Sequence, residues 1–220
     1  MEFAVSSQDS FINEVTEEVR RDRLFRLMRK YGWIAVAFVV LVVGGAAVFE
    51  WQRAQARAEA EAAGDALLNA LSEDAPEARA EVLAAIDGDS AGRNAIVRLF
   101  QAAAEMDAGE DERALATLEG IAVDAEAPSV YRDLAVLKSV MISGAAPEER
   151  IARLEPLTRP GNLFRLLAIE QRALAEVELG QTETAIKTLN GILADAEQTE
   201  GLRRRASWLI VALGGTPEDA

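Results

Sequence analysis

The side chains that could carry out chemistry in this sequence are carboxylates, lysines and two tyrosines, because it contains no Cys and no His. That composition removes disulfides, thiol nucleophiles, Cys/His zinc sites, imidazole bases and Ser-His-Asp triads. Asp and Glu are spread along the chain without forming an evident acid–base pair, and no phosphate-binding Gly loop or dinucleotide fingerprint occurs. The sequence therefore predicts no catalytic, cofactor-binding or metal site, and it favours a binding protein over an enzyme.

The charge of the chain is concentrated in its C-terminal part. The first 32 residues carry six basic and six acidic side chains, so the 17 basic and 31 acidic side chains of residues 50–220 account for the net charge of −14. An acidic surface repels the phosphates of nucleic acid. Nucleic acid is therefore not an expected partner. The negative charge itself is typical of a well-solvated helical surface.

An uncharged segment lies within "RKYGWIAVAFVVLVVGGAAVFEWQR", residues 29–53. Its 18 residues from Gly32 to Phe49 would form a helix of about 27 Å, close to the thickness of the hydrocarbon layer. The sequence predicts a transmembrane helix over residues 32–49. A cleaved signal peptide and a buried helix of a soluble protein are the alternatives. The side chains expected in the membrane are Trp33, Ile34, Val36, Phe38, Val39, Val40, Leu41, Val42 and Val43.

The residues on either side of this segment predict its orientation. Two basic residues, Arg53 and Arg57, follow the segment closely. Six precede it, and we expect them at the lipid headgroups: Arg20, Arg21, Arg23, Arg26, Arg29 and Lys30. The positive-inside rule then places residues 1–31 in the cytoplasm. This tail contains a basic amphipathic segment, and its helix should begin at Phe11. In a bacterium the protein would lie in the inner membrane, with its C-terminal domain in the periplasm.

The remainder of the chain has a helical pattern that repeats about every 35 residues. Gly109, Gly144 and Gly180 are spaced by 35 and 36 residues, and each is expected to end a helix. Apolar residues recur with nearly the same spacing, as in the set Leu118, Leu154 and Leu189. The pattern predicts stacked helical hairpins over residues 50–215, with Trp208, Leu209 and Val211 of a last helix covering the final pair. Residues 216–220 are expected to form a flexible tail.

The repeats "AAAEMDAGEDERALATL" and "RALAEVELGQTETAIKTL" resemble tetratricopeptide repeats. The small packing positions of that repeat match Ala102, Gly109 and Ala114 in one copy and Ala173, Gly180 and Ala185 in another. The middle copy departs from the pattern, with Leu137 and Glu149 where Ala is usual. The resemblance implies an all-α protein in which a degenerate tetratricopeptide-like solenoid follows the transmembrane helix.

In tetratricopeptide repeats the first helix of each pair lines a concave groove. The equivalent positions are apolar and are expected to bind partners: Ile96, Leu99, Met106, Tyr131, Leu134, Met141, Leu167, Leu174 and Val177. Alternatively, a short solenoid could bury these side chains against the helix that leads out of the membrane.

The layout of basic tail, single anchor and degenerate repeats resembles the ancillary Sec-translocon subunit family of bacterial inner membranes. The resemblance implies a single-pass membrane scaffold that binds the translocon and periplasmic chaperones during protein export, without a cofactor or a small-molecule substrate. An accessory subunit or assembly factor of another inner-membrane complex, such as a respiratory complex, is the alternative.

Overall fold

The structure is a computed structural model that describes residues 6–88 and 90–218, with side chains described from Met28 onwards except those of Ala35 and Asp89. All the regular elements of this part of the chain are helical, as the sequence predicts. The first helix, α1, runs unbroken over Ser6–Leu71. The start predicted at Phe11 is therefore five residues too late. No Gly or Pro interrupts residues 6–10, so the helix extends through them.

Eight further α-helices and one 3-10 helix follow α1 within the described residues. They are α2 (Pro76–Ala84), α3 (Ala91–Asp107), α4 (Asp111–Val123), α5 (Ser129–Ile142), α6 (Pro147–Leu154), the 3-10 helix Glu155–Thr158, α7 (Arg165–Glu178), α8 (Thr182–Leu193) and α9 (Glu200–Ala212).

The chain divides into two compact units, residues 1–62 and residues 63–220. This division places residues 50–62 with the N-terminal unit, whereas the sequence pattern groups them with the repeats. We refer to residues 63–220 as the helical domain. Within it each of the helices α2 to α9 packs mainly on its neighbours in the chain, and α3 also contacts α5.

The repeated apolar positions form the core of the helical domain. Leu118, Leu154 and Leu189 are completely buried. They belong to three separate clusters: Leu118 packs between α3, α4 and α5, Leu154 between α5, α6 and α7, and Leu189 between α7, α8 and α9. The small residues matched to the tetratricopeptide pattern are also buried, namely Ala102, Ala114, Ala173 and Ala185. A side chain repeated at this spacing therefore meets an equivalent environment in each copy.

Two of the three repeated glycines end their helices in the predicted way. Gly109 and Gly180 have φ angles of +75° and +73°. After α3, Glu110 N donates to Glu105 O and Gly109 N donates to Met106 O, and the same pair of bonds follows α7. This is the Schellman motif, in which a left-handed residue lets the last carbonyls of a helix find donors.

The middle glycine, Gly144, also lies two residues after the end of its helix, but it does not have the positive φ angle of the other two. Helix α5 ends at Ile142, and the link to α6 is extended at Ser143 and Ala146. A residue before proline avoids helical backbone angles, so Pro147 imposes the extended conformation on Ala146. The extra residue of this copy thus replaces a left-handed turn with an extended link.

Replacing Gly109 or Gly180 by Ala should lower the free energy of unfolding by about 1–2 kcal/mol, because an L residue is strained at positive φ. A Cβ atom at either position would meet no atom within 4 Å, so the backbone angle alone is tested. Gly144→Ala is the matched control, since Gly144 lacks a positive φ and its Cβ would also be free. Chemical denaturation of the three variants measures the difference, and an equal effect at all three positions would contradict this explanation.

Helix α9 closes the helical domain, but with a different face from the one predicted. Its buried residues are Leu202, Ala206 and Ile210, and Leu209 is partly buried beside them. Trp208 and Val211, which were expected to cover the last pair, are 71% and 59% exposed. Trp208 lies about 200° around the helix from Ala206, so one rotation of α9 cannot bury both.

Candidate interaction surface

The nine predicted groove residues lie on α3, α5 and α7, and none of them is buried. We call this set the groove face. Met141, Leu167 and Leu174 are exposed, at 57%, 38% and 37%. The other six are partly exposed. Each of the nine side chains predicted to line the groove is therefore at least partly accessible.

The base of the groove face is held by the core beneath it. Leu99 and Tyr131 pack against a buried cluster that contains Ala95, Ala135 and Leu118. Because Ala95 and Ala135 are small, α3 and α5 can approach each other, and the larger side chains next to them point towards the surface. The exposed atoms of Leu99 and Tyr131 are therefore backed by rigid packing, which lowers the entropy cost of binding a partner.

Two exposed apolar residues of this region were missed by the repeat pattern. Phe100 follows Leu99 and is 40% exposed. Leu163, four residues before Leu167, is 81% exposed. The four-residue spacing of Leu163 and Leu167 would have predicted a shared helical face. Leu163 lies just before α7, however, in a segment with Pro160 and Gly161 that reads as a turn.

A cleft of about 230 Å³ opens beside the N-terminal end of α7. Its apolar wall is formed by Leu163, Leu166, Leu167 and Leu202. Asn162, Arg165, Glu197 and Thr199 supply the polar part of its lining. Its volume suits one large side chain of a protein partner rather than a drug-sized ligand.

An ion-pair network fixes this end of α7. Arg165 Nη1 and Nη2 donate to the two carboxylate oxygens of Asp195 at 2.8 and 3.0 Å, and Nη2 also lies 2.6 Å from Glu197 Oε2. The hydrogen bonds from Arg165, with a further one from the backbone N–H of Glu197, hold the pKa of Asp195 below its usual value. The hydrogen bonds that Arg165 donates to the carboxylates of Asp195 and Glu197 raise the pKa of Arg165. The network ties α7 to the loop after α8.

Helix α9 is joined to α7 by a second pair. Arg205 Nε and Nη2 donate to Glu170 Oε1 and Oε2 at 2.7 and 2.8 Å. These bonds raise the pKa of Arg205. Glu170 occupies the place that Leu99 and Leu134 hold in the other two copies, so α9 covers a position that is apolar in α3 and α5.

In the first and third copies a buried carboxylate links the two helices of the hairpin. The sequence analysis did not predict these two residues. Glu105 and Glu176 are 1% and 2% exposed and lie 71 residues apart. Thr117 and Thr188, also 71 residues apart, donate to them, each at 2.8 Å. A buried carboxylate is costly unless it is hydrogen-bonded. The threonine hydroxyl of the second helix thus supplies the hydrogen bond that the buried carboxylate of the first helix requires.

The middle copy links its two helices through a different set of polar side chains. Val140 replaces the buried carboxylate and Arg153 replaces the threonine. Arg153 Nη2 donates to the buried Ser139 Oγ at 2.9 Å, and Nη1 reaches Glu119 at 3.2 Å. This exchange keeps a polar link between α5 and α6 without leaving an unpaired charge.

The described residues contain no group of three or more Asp, Glu, His or Cys side chains that could hold a metal ion. The buried Glu105 accepts hydrogen bonds from Thr117 and Gln101, and the buried Glu176 accepts them from Thr188 and Arg172. The most distinctive chemistry of this surface is therefore its accessible apolar side chains. The expectation that the protein is not an enzyme stays a prediction.

The apolar segment of α1 is the one helix, among the residues that the structure describes, that is long and apolar enough to cross a membrane. All nine side chains predicted to lie in the membrane, from Trp33 to Val43, are exposed. Of the six basic residues expected at the headgroups, Arg29 and Lys30 are exposed, and Lys30 Nζ lies 5.6 Å from the Tyr31 ring centre. The side chains of Arg20, Arg21, Arg23 and Arg26 lie outside the described set.

No protein-family model, curated protein or solved structure matches this chain.

Proposed function

We propose that this protein is a membrane-anchored scaffold that binds other proteins through the groove face. The observation that carries the proposal is the accessibility of that face: nine apolar residues on three helices, none of them buried. Apolar surface that faces water on a soluble domain is commonly an interaction site. Met106 and Met141 make it adaptable to partners of different shape.

The repeated architecture supports a tetratricopeptide-like solenoid as the frame of this surface. Equivalent Leu and Ala positions are buried in successive hairpins. The paired Glu105–Thr117 and Glu176–Thr188 contacts recur at a spacing of 71 residues, which is two repeats of about 35. In such an arrangement each hairpin contacts only its neighbours and presents its first helix on one side.

We place the scaffold in a bacterial inner membrane, with the helical domain in the periplasm. The six basic residues before the apolar segment and the two after it favour this orientation. Alkaline phosphatase fused after Ala220 should then be active, because the enzyme matures only outside the cytoplasm. A reporter that works only in the cytoplasm should be silent at the same position, and the reverse result would place the domain on the other side.

The partners we propose are subunits of the Sec translocon and periplasmic chaperones, on the basis of the family resemblance of the layout. Purification of the full-length chain in a mild detergent tests this. Recovery of translocon and chaperone subunits supports the proposal. Recovery of one stoichiometric energy-transducing complex instead supports an accessory role in a respiratory assembly.

The groove face can be tested separately from the identity of the partner. Met141→Ser and Leu174→Ser remove exposed apolar contacts, so partner recovery should fall about five-fold or more for each variant. The free energy of unfolding should change by only about 0.5 kcal/mol, as is usual for surface positions. Val123→Ser is the matched control, because Val123 is 81% exposed on α4, outside the groove face. Equal losses of partner for all three variants would argue against a specific groove.

A further inference from the structure

The last helix of the domain exposes an apolar stripe to solvent. Arg204, Trp208 and Val211 follow one another at four and three residues along α9, a spacing that places them on one face. Trp208 and Val211 are 71% and 59% exposed. The terminal helix of a repeat array normally has a polar outer face, which keeps the open end soluble. An exposed Trp at this position therefore indicates that another surface covers it.

The charge of α9 restricts what that surface can be. The helix contains three Arg and one Glu, whereas the net charge of the whole chain is −14. Arg205 is paired with Glu170. Arg203 and Arg204 are exposed, and neither has an ion pair or side-chain hydrogen bond within the described part of the chain. The outer face of α9 is thus apolar and positively charged, and it suits an acidic partner surface.

An acidic helix face occurs at the opposite end of the row of packed helices. At this end α2 packs mainly on α3, and the last turns of α1 pack on the buried side of α2, whereas α9 packs mainly on α8. Glu81 and Val82 are exposed on the side of α2 that faces away from its buried Ala80 and Leu83, and the exposed Glu77 lies next to Glu81, one turn before it. Among the described residues neither glutamate has an ion-pair or side-chain hydrogen-bond partner. The two ends of the row therefore carry unpaired charges of opposite sign, each beside exposed apolar side chains.

We propose that the outer face of α9 binds the outer face of α2 of a second copy of this chain, head to tail. Arg203 and Arg204 would lie near the partner copy's acidic helix face, with Trp208 and Val211 at the centre of the contact. Two α9 faces placed against each other would oppose arginine to arginine, and two α2 faces would oppose glutamate to glutamate. Like charges in contact are strongly unfavourable. Charge complementarity thus selects the heterologous pairing.

The membrane anchor makes so small a contact effective. One helix face on another buries less than the roughly 800 Å² per partner of a standard stable interface. Anchoring both copies in one bilayer raises their effective concentration without any new contact. The association is therefore expected for the full-length protein in a bilayer and should weaken as salt is added, since exposed charges are screened.

The absence of cysteine from the chain allows a direct test by cross-linking. Ala84 of α2 and Ala212 of α9 are exposed and small, so Ala84→Cys and Ala212→Cys place thiols on the two faces without removing a charge or an apolar anchor. Full-length chains of the two variants are reconstituted together in phosphatidylcholine vesicles and treated with a short bis-maleimide. We expect a dimer formed between Ala84→Cys and Ala212→Cys chains, and much less product when either variant is reconstituted alone.

Charge reversal distinguishes this pairing from other occupants of the α9 face. Arg203→Glu/Arg204→Glu on the Ala212→Cys chain should reduce the mixed cross-link about ten-fold or more. Adding Glu77→Arg/Glu81→Arg to the Ala84→Cys chain should restore it. Thermal unfolding of each variant checks that it is folded, since all four charges are exposed.

Three results would overturn the proposal. Cross-linking of Ala212→Cys chains to each other, as strong as in the mixture, would mean that two α9 faces pair. Failure of the charge-reversed pair to recover, with both variants folded, would mean that the charges do not select the partner. Absence of the mixed cross-link with wild-type charges at low salt would mean that a different molecule, or the lipid surface, covers Trp208.

Discussion

Truncating Leu118, Leu154 or Leu189 to Ala is expected to lower the free energy of unfolding by about 2–5 kcal/mol in each case. All three side chains are completely buried, so the change removes apolar contacts and leaves a cavity that the surrounding helices fill only in part. A domain of this size has a total stability of about 5–15 kcal/mol. One such substitution therefore removes a large fraction of it.

The control for these substitutions is Leu174→Ala, because Leu174 is 37% exposed on the groove face. The same atoms are deleted, but solvent can occupy the space, so the loss should stay well below that of the buried set. Denaturant titration of the full-length chain in detergent measures all four variants. If the exposed leucine proves as costly as the buried three, the groove face is covered in solution and the binding surface lies elsewhere.

Placing an arginine at Val40 is expected to oppose membrane insertion by about 2.5–3.5 kcal/mol. Val40 lies in the middle of the apolar segment, where the guanidinium is far from both headgroup layers. The amount of full-length chain that remains with the membranes after an alkaline wash should fall.

The matched substitution is Gln52→Arg. Residue 52 lies beyond the segment and beside Arg53, where a long basic side chain can reach the interface. It should leave membrane association unchanged. If the wild-type chain itself is found in the soluble fraction, shortened to a point after the apolar segment, the segment is a cleaved signal peptide and not an anchor.

The helical class and the repeated core could be predicted from the sequence because both follow from local periodicity. A leucine that recurs with the repeat period in an amphipathic helix occupies the buried side in every copy, as Leu118, Leu154 and Leu189 do. The apolar segment of α1 needs only its own length and composition to be recognised as a candidate membrane span. The left-handed glycine turns were predictable at Gly109 and Gly180. They were not predictable at Gly144, where the extra residue and Pro147 give an extended link.

Other features were decided only by tertiary structure. Glu105 and Glu176 are ordinary solvated residues by sequence, and their burial depends on a threonine hydroxyl that packing brings close from the next helix. In α9 the consecutive residues Trp208 to Val211 are all apolar, so periodicity alone cannot say which of them face the core. The packing of Leu202, Ala206 and Ile210 against α7 and α8 sets the rotation of the helix, and that rotation leaves Trp208 in solvent, because a helix that packs on one side can bury only one of its faces.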